Sequence, residues 1–252
     1  MFPIINLGPL SIPAPGFILL LGFWLGSVLA GQKSKLFKVD PDLLEKVLWI
    51  CLLAGLIGAR LSYIARAPNA FEGNIISIFS LNPNLLDPVG GILISAAVGF
   101  MYISRQRISF WAFLDSLTPF FAVIAISLSL SSFAAGTEFG TSTTLPWGIS
   151  LWGELRHPVQ IYYLSGGLVT LFVILAMKQT NNYQSGLTFL LFISLTSGFR
   201  LFFSAFQESA RIVADGIRPL QLAYWIILAI SLFLFNKQNL PLRTEKSNEP
   251  QG

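Results

Sequence analysis

Seven apolar runs separated by short polar connections make up most of this chain. They lie at about 13–31, 44–65, 86–103, 110–134, 158–177, 185–207 and 218–235. A helix needs about 20 apolar residues to cross a bilayer, and each run is near that length. The pattern predicts an all-α integral membrane protein with about seven transmembrane helices. The first run lacks a basic lead-in, since no charged residue precedes Lys33, and it is long; it reads as a span rather than a signal peptide. Asn69 to Asn84 is rich in Asn, Ser and Pro and predicts a loop, with an interfacial segment around Ile75–Leu81. The tail from Asn236 to Gly252 is polar, with Pro and Lys, the composition of a disordered segment. The expected division is a membrane domain over 1–235 and a disordered cytoplasmic tail over 236–252.

Composition supports the membrane reading. The chain is 54% hydrophobic and 11% charged, against about 25% charged in soluble domains. The net charge of +4 would suit nucleic acid, but the basic residues sit mostly in short connections, so no nucleic-acid partner is expected. Their placement sets an orientation instead. Lys33, Lys35, Lys38, Lys46, Arg105, Arg107, Lys178, Lys237, Arg243 and Lys246 fall in one set of alternate connections; Arg66, Arg156, Arg211 and Arg218 fall in the other. Ten against four predicts the N-terminus outside and the C-terminus in the cytoplasm. The single cysteine, Cys51, cannot form an intrachain disulfide and reads as a small buried hydrophobe. One His and one Cys leave no basis for a Cys/His metal site, and no cofactor is expected.

Polar residues inside such a chain are functional candidates. The only histidine lies in Arg156-His157-Pro158-Val159-Gln160-Ile161-Tyr162, between the fourth and fifth spans. Glu138, Glu154, Trp147 and Trp152 belong to the same connection; the tryptophans read as interfacial anchors. This segment is either a site or a solvated loop capping the fifth helix. Arg200, within the sixth run, requires an anion or a polar cavity. It is a ligand for a lipid phosphate, which Arg holds bidentately, or an ion-pair partner of Asp115 or Glu208. Arg60 sits among Gly58, Ala59 and Ser62, small residues that favour close helix packing, and reads first as structural. Gly90-Gly91 marks a tight turn or close packing, and Ser127 to Ser132 reads as helix-packing polarity.

Taken in order, these motifs resemble the prolipoprotein diacylglyceryl transferases, seven-span bacterial plasma-membrane enzymes. The resemblance runs over about residues 5–235. It begins at Leu7-Gly8-Pro9 and Gly16, then passes through Gly58-Ala59-Arg60-Leu61-x-Tyr63, Gly90-Gly91, and Asp115 with Pro119. It continues through Phe133, Gly136, Gly140 and Leu145-Pro146-Trp147-Gly148 to the most specific string, Arg156-His157-Pro158-x-Gln160-x-Tyr162, and closes on Arg200 and Gln221. It implies transfer of the diacylglyceryl group of phosphatidylglycerol, or a related anionic phospholipid, to the cysteine thiol of a prolipoprotein at its signal-peptide segment. On this reading His157 and Glu138 are the candidate bases. Arg200, Arg156 and Arg60 hold the lipid phosphate, with Gln160, Tyr162, Gly90 and Gly91 in support. Departures from the family pattern are Val89 at a histidine, Pro13 and Pro15 at a histidine and a tyrosine, and Ser129 and Ser132 at the signature arginine and asparagine. Further departures are Ala135 at an asparagine, Thr137 at a glutamate, and Ser204 and Gln207 at a late glutamate and arginine. Three readings follow: an active, divergent transferase; a degenerate relative that binds lipid or protein; or an unrelated transporter or small-solute channel, the paired broken helices of a transporter not being evident.

Overall fold

The computed structural model describes residues 4–7, 10–71, 85–151, 153–177, 184–208 and 218–247. The expected interfacial segment at Ile75–Leu81, and Trp152, lie outside these. Among the described residues seven α-helices follow in order: α1 Ala14–Ser34, α2 Pro41–Arg66, α3 Pro88–Ser104, α4 Phe110–Ala135, α5 Val159–Ala176, α6 Leu187–Phe203 and α7 Pro219–Ser247. Six are long and apolar enough to cross a membrane; α3, at 17 residues, gives about 25 Å of helix. The chain is a multi-pass membrane protein. A β-hairpin, β1 Ile4–Leu7 with β2 Leu10–Pro13, precedes α1. A smaller one, β3 Ile149–Leu151 with β4 Glu154–Arg156, precedes α5.

Local chemistry fixes the helix starts. Asp40 and Asp87 cap α2 and α3 by accepting from the backbone N–H groups of Asp42 and Val89, and a proline opens each helix. Two boundaries differ from the sequence expectation. The sixth run is apolar to Phe206, but α6 stops at Phe203. Ser204 turns its hydroxyl back onto the Leu201 carbonyl at 2.8 Å, and Gln207 is already extended. Arg200 therefore stands in the last turn of α6 rather than deep in its run. At the other end, α7 continues to Ser247, past Asn236, where composition predicts disorder. A nucleated helix gains one hydrogen bond per added residue, and straight-chain Lys237, Gln238, Arg243, Glu245 and Lys246 are good helix formers.

Small residues decide which helices touch. α1 packs along α4, and α2 along α3. Gly91 lies against Ala59 and the Gly55 carbonyl, a Cβ there falling 2.9 Å from each. Gly90 lies against Ser62, and Gly99 against Cys51. Ser95 donates to the Cys51 carbonyl at 2.9 Å. This is the small-residue seam expected where lipid, not water, surrounds the helices. On α1, Gly22 and Gly26 let α4 approach at Ser127 and Phe120. A Cβ at Gly22 would lie 2.5 Å from the Ser127 Cβ, so Gly22→Val should destabilise the fold by about 1–3 kcal/mol through overpacking. Thermal unfolding in detergent, compared with the conservative Ser127→Ala, checks this.

The core sits toward the end bearing the Lys-rich connections. Ala30, Val39, Leu44, Val47, Ile103, Phe113 and Leu117 form one cluster, and Ala122, Ile174 and Phe192 a second. The second cluster joins α4, α5 and α6, and the polar site lies beyond it, where the chain leaves α4 and α6.

Candidate functional site

The site is built where the chain leaves α4 and α6. Gly136, with φ 74, ends α4 in the left-handed conformation, and Glu138 follows at φ 56. The next residues run extended. Gly140 bridges to Gln207 and Ser142 to Arg156, and Thr141 donates to the Phe206 carbonyl at 2.9 Å. With β3 and β4, these segments form a small layer tying the α4–α5 connection to the exit of α6. Its short pieces show no alternating pattern in the sequence.

His157 lies at the centre of this layer with its backbone held on both sides. Its N–H donates to the Thr141 carbonyl at 3.0 Å, and its carbonyl accepts from Gly140 at 3.1 Å. A Cβ at residue 140 would fall 2.6 Å from the His157 Cβ, so only glycine permits this approach. The imidazole Nδ1 is 3.1 Å from the Tyr162 hydroxyl. That hydroxyl also accepts from the Trp147 indole N–H at 2.9 Å. Phe206 lies beside the ring, centroids 5.0 Å apart. Gln160, 2% exposed, donates to the Thr137 carbonyl at 2.6 Å and joins the first turn of α5 to the exit of α4.

Arg156 is expected from sequence as a phosphate ligand, but here it is occupied by carboxylates. It bonds Glu154 at 2.9 Å and pairs with Glu208 beyond α6, and its guanidinium lies 5.3 Å from the Phe139 ring centroid. Its side chain is 14% exposed. Burial with two anions makes it a lock on the layer rather than a free cation. Arg60 donates to the Leu85 carbonyl at 2.9 Å and ties α2 to the approach of α3. Gly90 and Gly91 belong to the α2–α3 seam rather than to the His157 cluster. Glu138 is exposed.

Below the layer, a small cleft open on one side lies between α4, α5 and α6. Ser129, Tyr163, Gly166, Thr170, Thr196 and Arg200 line it. The Arg200 guanidinium stacks over the Tyr163 ring at 5.0 Å, and the Tyr163 hydroxyl donates to Gln207 at 3.1 Å. Neither proposed ion-pair partner reaches Arg200. Asp115 accepts the backbone N–H groups of Gly186 and Phe189 and caps α6 at its other end, while Glu208 holds Arg156. Among the described residues, no carboxylate forms a salt bridge with Arg200. The arrangement is an arginine in the last turn of α6 beside a mostly apolar cleft, resting on Tyr163, whose neighbour Tyr162 meets the histidine.

The family described as Prolipoprotein diacylglyceryl transferase matches residues 3–236 of the chain. The chain belongs to the prolipoprotein diacylglyceryl transferase family. It is 24% identical over 213 residues to the phosphatidylglycerol–prolipoprotein diacylglyceryl transferase of Clostridioides difficile, covering 84% of each chain. The Clostridium botulinum (strain Langeland) protein of that name is 24% identical over 239 residues, 90% of this chain and 93% of its own. The Thermus thermophilus protein is 30% identical over 152 residues, 60% of this chain and 54% of its own.

Three of the positions that the sequence sets against the family pattern lie near Arg200. Ser129 lines its pocket and turns its hydroxyl to the Ala125 carbonyl at 3.1 Å; Gln207 accepts from Tyr163; Ser204 follows α6 directly. Val89, by contrast, is 59% exposed on α3. Sequence reasoning missed Tyr163, Trp147 as a hydrogen-bond donor, and Glu208 as the partner of Arg156. Tyr163 had a signal: it directly follows the Gln160-x-Tyr162 string.

A third polar cluster, at the start of α3, is structural. Asp87 accepts from Ser62 at 2.6 Å and pairs with Arg66 at 3.4 Å. The Ser62 hydrogen bond, aided by Arg66 and opposed by burial, holds its carboxyl below the usual carboxylate range. A carboxyl lowered in the folded state contributes stability above its unfolded pKa of about 3.9 and loses it as pH falls through the folded value. Acid unfolding should therefore be less pH-dependent below about pH 4 in Asp87→Asn than in the parent, measured by tryptophan fluorescence in detergent.

Proposed function

We propose that the chain is an active phosphatidylglycerol–prolipoprotein diacylglyceryl transferase of the bacterial plasma membrane, with the His157 end facing outward as the Lys/Arg bias predicts. The observation that carries this reading is Arg200, which rests on Tyr163 at the edge of a pocket with no salt-bridge carboxylate among the described residues. An arginine at a helix end with no salt-bridge carboxylate among the described residues suits an anionic ligand, and the planar fork of Arg suits phosphate.

In this reaction the sulfur of the prolipoprotein cysteine attacks a glycerol carbon of phosphatidylglycerol, and glycerol phosphate leaves. A thiol with pKa about 8.5 is mostly protonated at neutral pH, so a base is needed. His157 is assigned that role and Arg200 the lipid phosphate. Glu138, exposed after its left-handed turn, is the secondary candidate base. Arg156 and Arg60 act by holding the outer layer and the α2–α3 approach in place. Both substrates carry apolar segments and enter from lipid.

Complementation of a bacterial strain depleted of its own transferase tests the reading. The parent chain should restore growth and lipoprotein modification, while Arg200→Ala and His157→Ala should not. A well-expressed parent that fails to rescue would overturn the proposal. Rescue unaffected by either substitution would overturn the residue assignment.

A further inference from the structure

We propose that Tyr162 is a catalytic proton relay between the substrate thiol and His157 Nδ1, and that Trp147 is the positioning residue that aims its hydroxyl. This rests on the transferase reading above and deepens it. Three groups form a hydrogen-bonded chain: Trp147 Nε1 to Tyr162 hydroxyl at 2.9 Å, and Tyr162 hydroxyl to His157 Nδ1 at 3.1 Å.

Hydrogen-bond accounting gives the chain a direction. An indole N–H only donates, whereas a phenol carries one proton and two acceptor lone pairs. Trp147 therefore occupies a lone pair of Tyr162 and leaves its proton to be placed. Among the described residues the acceptor within reach is His157 Nδ1. The satisfied arrangement has Tyr162 donating to an unprotonated Nδ1, which leaves the proton of the neutral imidazole on Nε2. Which ring nitrogen is protonated follows from the hydrogen bond the other makes. The backbone of His157 is pinned by Gly140 and Thr141, and Phe206 lies against its ring, so the imidazole has little room to turn over.

The consequence concerns how His157 takes a proton. Its basic nitrogen is covered by Tyr162, so the proton must pass through that hydroxyl. The thiol S–H bond breaks and its proton moves to the Tyr162 oxygen, while the phenolic proton moves to Nδ1. The sulfur electron pair forms the new C–S bond to glycerol. The glycerol C–O bond breaks, and its electron pair leaves with the phosphate oxygen. The Trp147 N–H steadies charge on the phenol oxygen during the transfer. The order Tyr162-Tyr163 on α5 sets the relay beside the residue that carries Arg200.

His157 is the only histidine in the chain, which makes the tautomer directly readable. The full-length protein, purified with a histidine-free tag and labelled with ¹⁵N-histidine in phosphatidylglycerol nanodiscs, should show one unprotonated and one protonated ring nitrogen, assigned as Nδ1 and Nε2–H. Trp147→Phe should lose the single-tautomer pattern and lower kcat about 10-fold, and Tyr162→Phe should lower kcat by about 100-fold or more with KM for the lipid nearly unchanged. A parent spectrum with Nδ1 protonated would overturn the tautomer assignment and the relay. Tyr162→Phe retaining kcat within about 3-fold would also overturn the relay. A folded parent protein with no transfer activity would overturn the transferase reading and the relay's role, while the spectrum still decides the tautomer.

Discussion

Arg200→Ala should reduce diacylglyceryl transfer by about 10²–10³-fold in kcat/KM, the usual loss when one preorganised charge-stabilising group is removed. The fold should be nearly unaffected. Arg200 makes one contact of note among the described residues, over the Tyr163 ring, and such contacts contribute about 0.5–2 kcal/mol. Arg200→Lys should recover only part of the activity, because an ammonium lacks the planar fork. A transfer assay with purified variants in phosphatidylglycerol vesicles, read beside thermal unfolding, separates the two effects. Equal losses in activity and stability would argue for a structural arginine.

The second large effect is on stability. Asp115 is fully buried in α4 and accepts the Gly186 and Phe189 N–H groups at the start of α6. It caps the end of α6 whose backbone N–H groups lack partners within the helix. Asp115→Ala would strip both donors of their acceptor inside the bundle. Leaving a buried donor unsatisfied costs about 1–3 kcal/mol, so a loss of roughly 2–6 kcal/mol is expected for the two. Asp115→Asn keeps one acceptor oxygen and should lose less. Thermal unfolding in nanodiscs checks both variants. An Asp115→Ala protein that unfolds at the parent temperature would remove Asp115 as the cap of α6.

The helices were legible in the chain because lipid imposes a length and an apolar composition on each span. Two ends were not. Phe202, Phe203 and Phe206 are uniformly apolar, so nothing in their order marks the stop after Phe203; the stop comes from Ser204 and from Gln207 joining Gly140. The tail after Asn236 is polar, yet α7 continues through it, because a preceding helix supplies the nucleus. At the site, the string from Arg156 to Tyr162 was evident from its polarity, but its partners were not. Glu208 meets Arg156 and Gln207 meets Tyr163 only because the α6 exit folds back onto the α4–α5 connection. Trp147 has the composition signal of an interfacial anchor, and its indole N–H contact with Tyr162 leaves no trace in sequence. Asp115 stood out in the sequence as an ion-pair partner for Arg200, but its partners are backbone groups 71 and 74 residues away, which residue types cannot reveal.

The most direct test is single-turnover transfer by the purified protein in vesicles containing phosphatidylglycerol and a prolipoprotein peptide with a single cysteine. The expected result is a diacylglyceryl thioether on that cysteine with matching release of glycerol phosphate, lost in Arg200→Ala. A folded parent protein that leaves both peptide and lipid unchanged would contradict it.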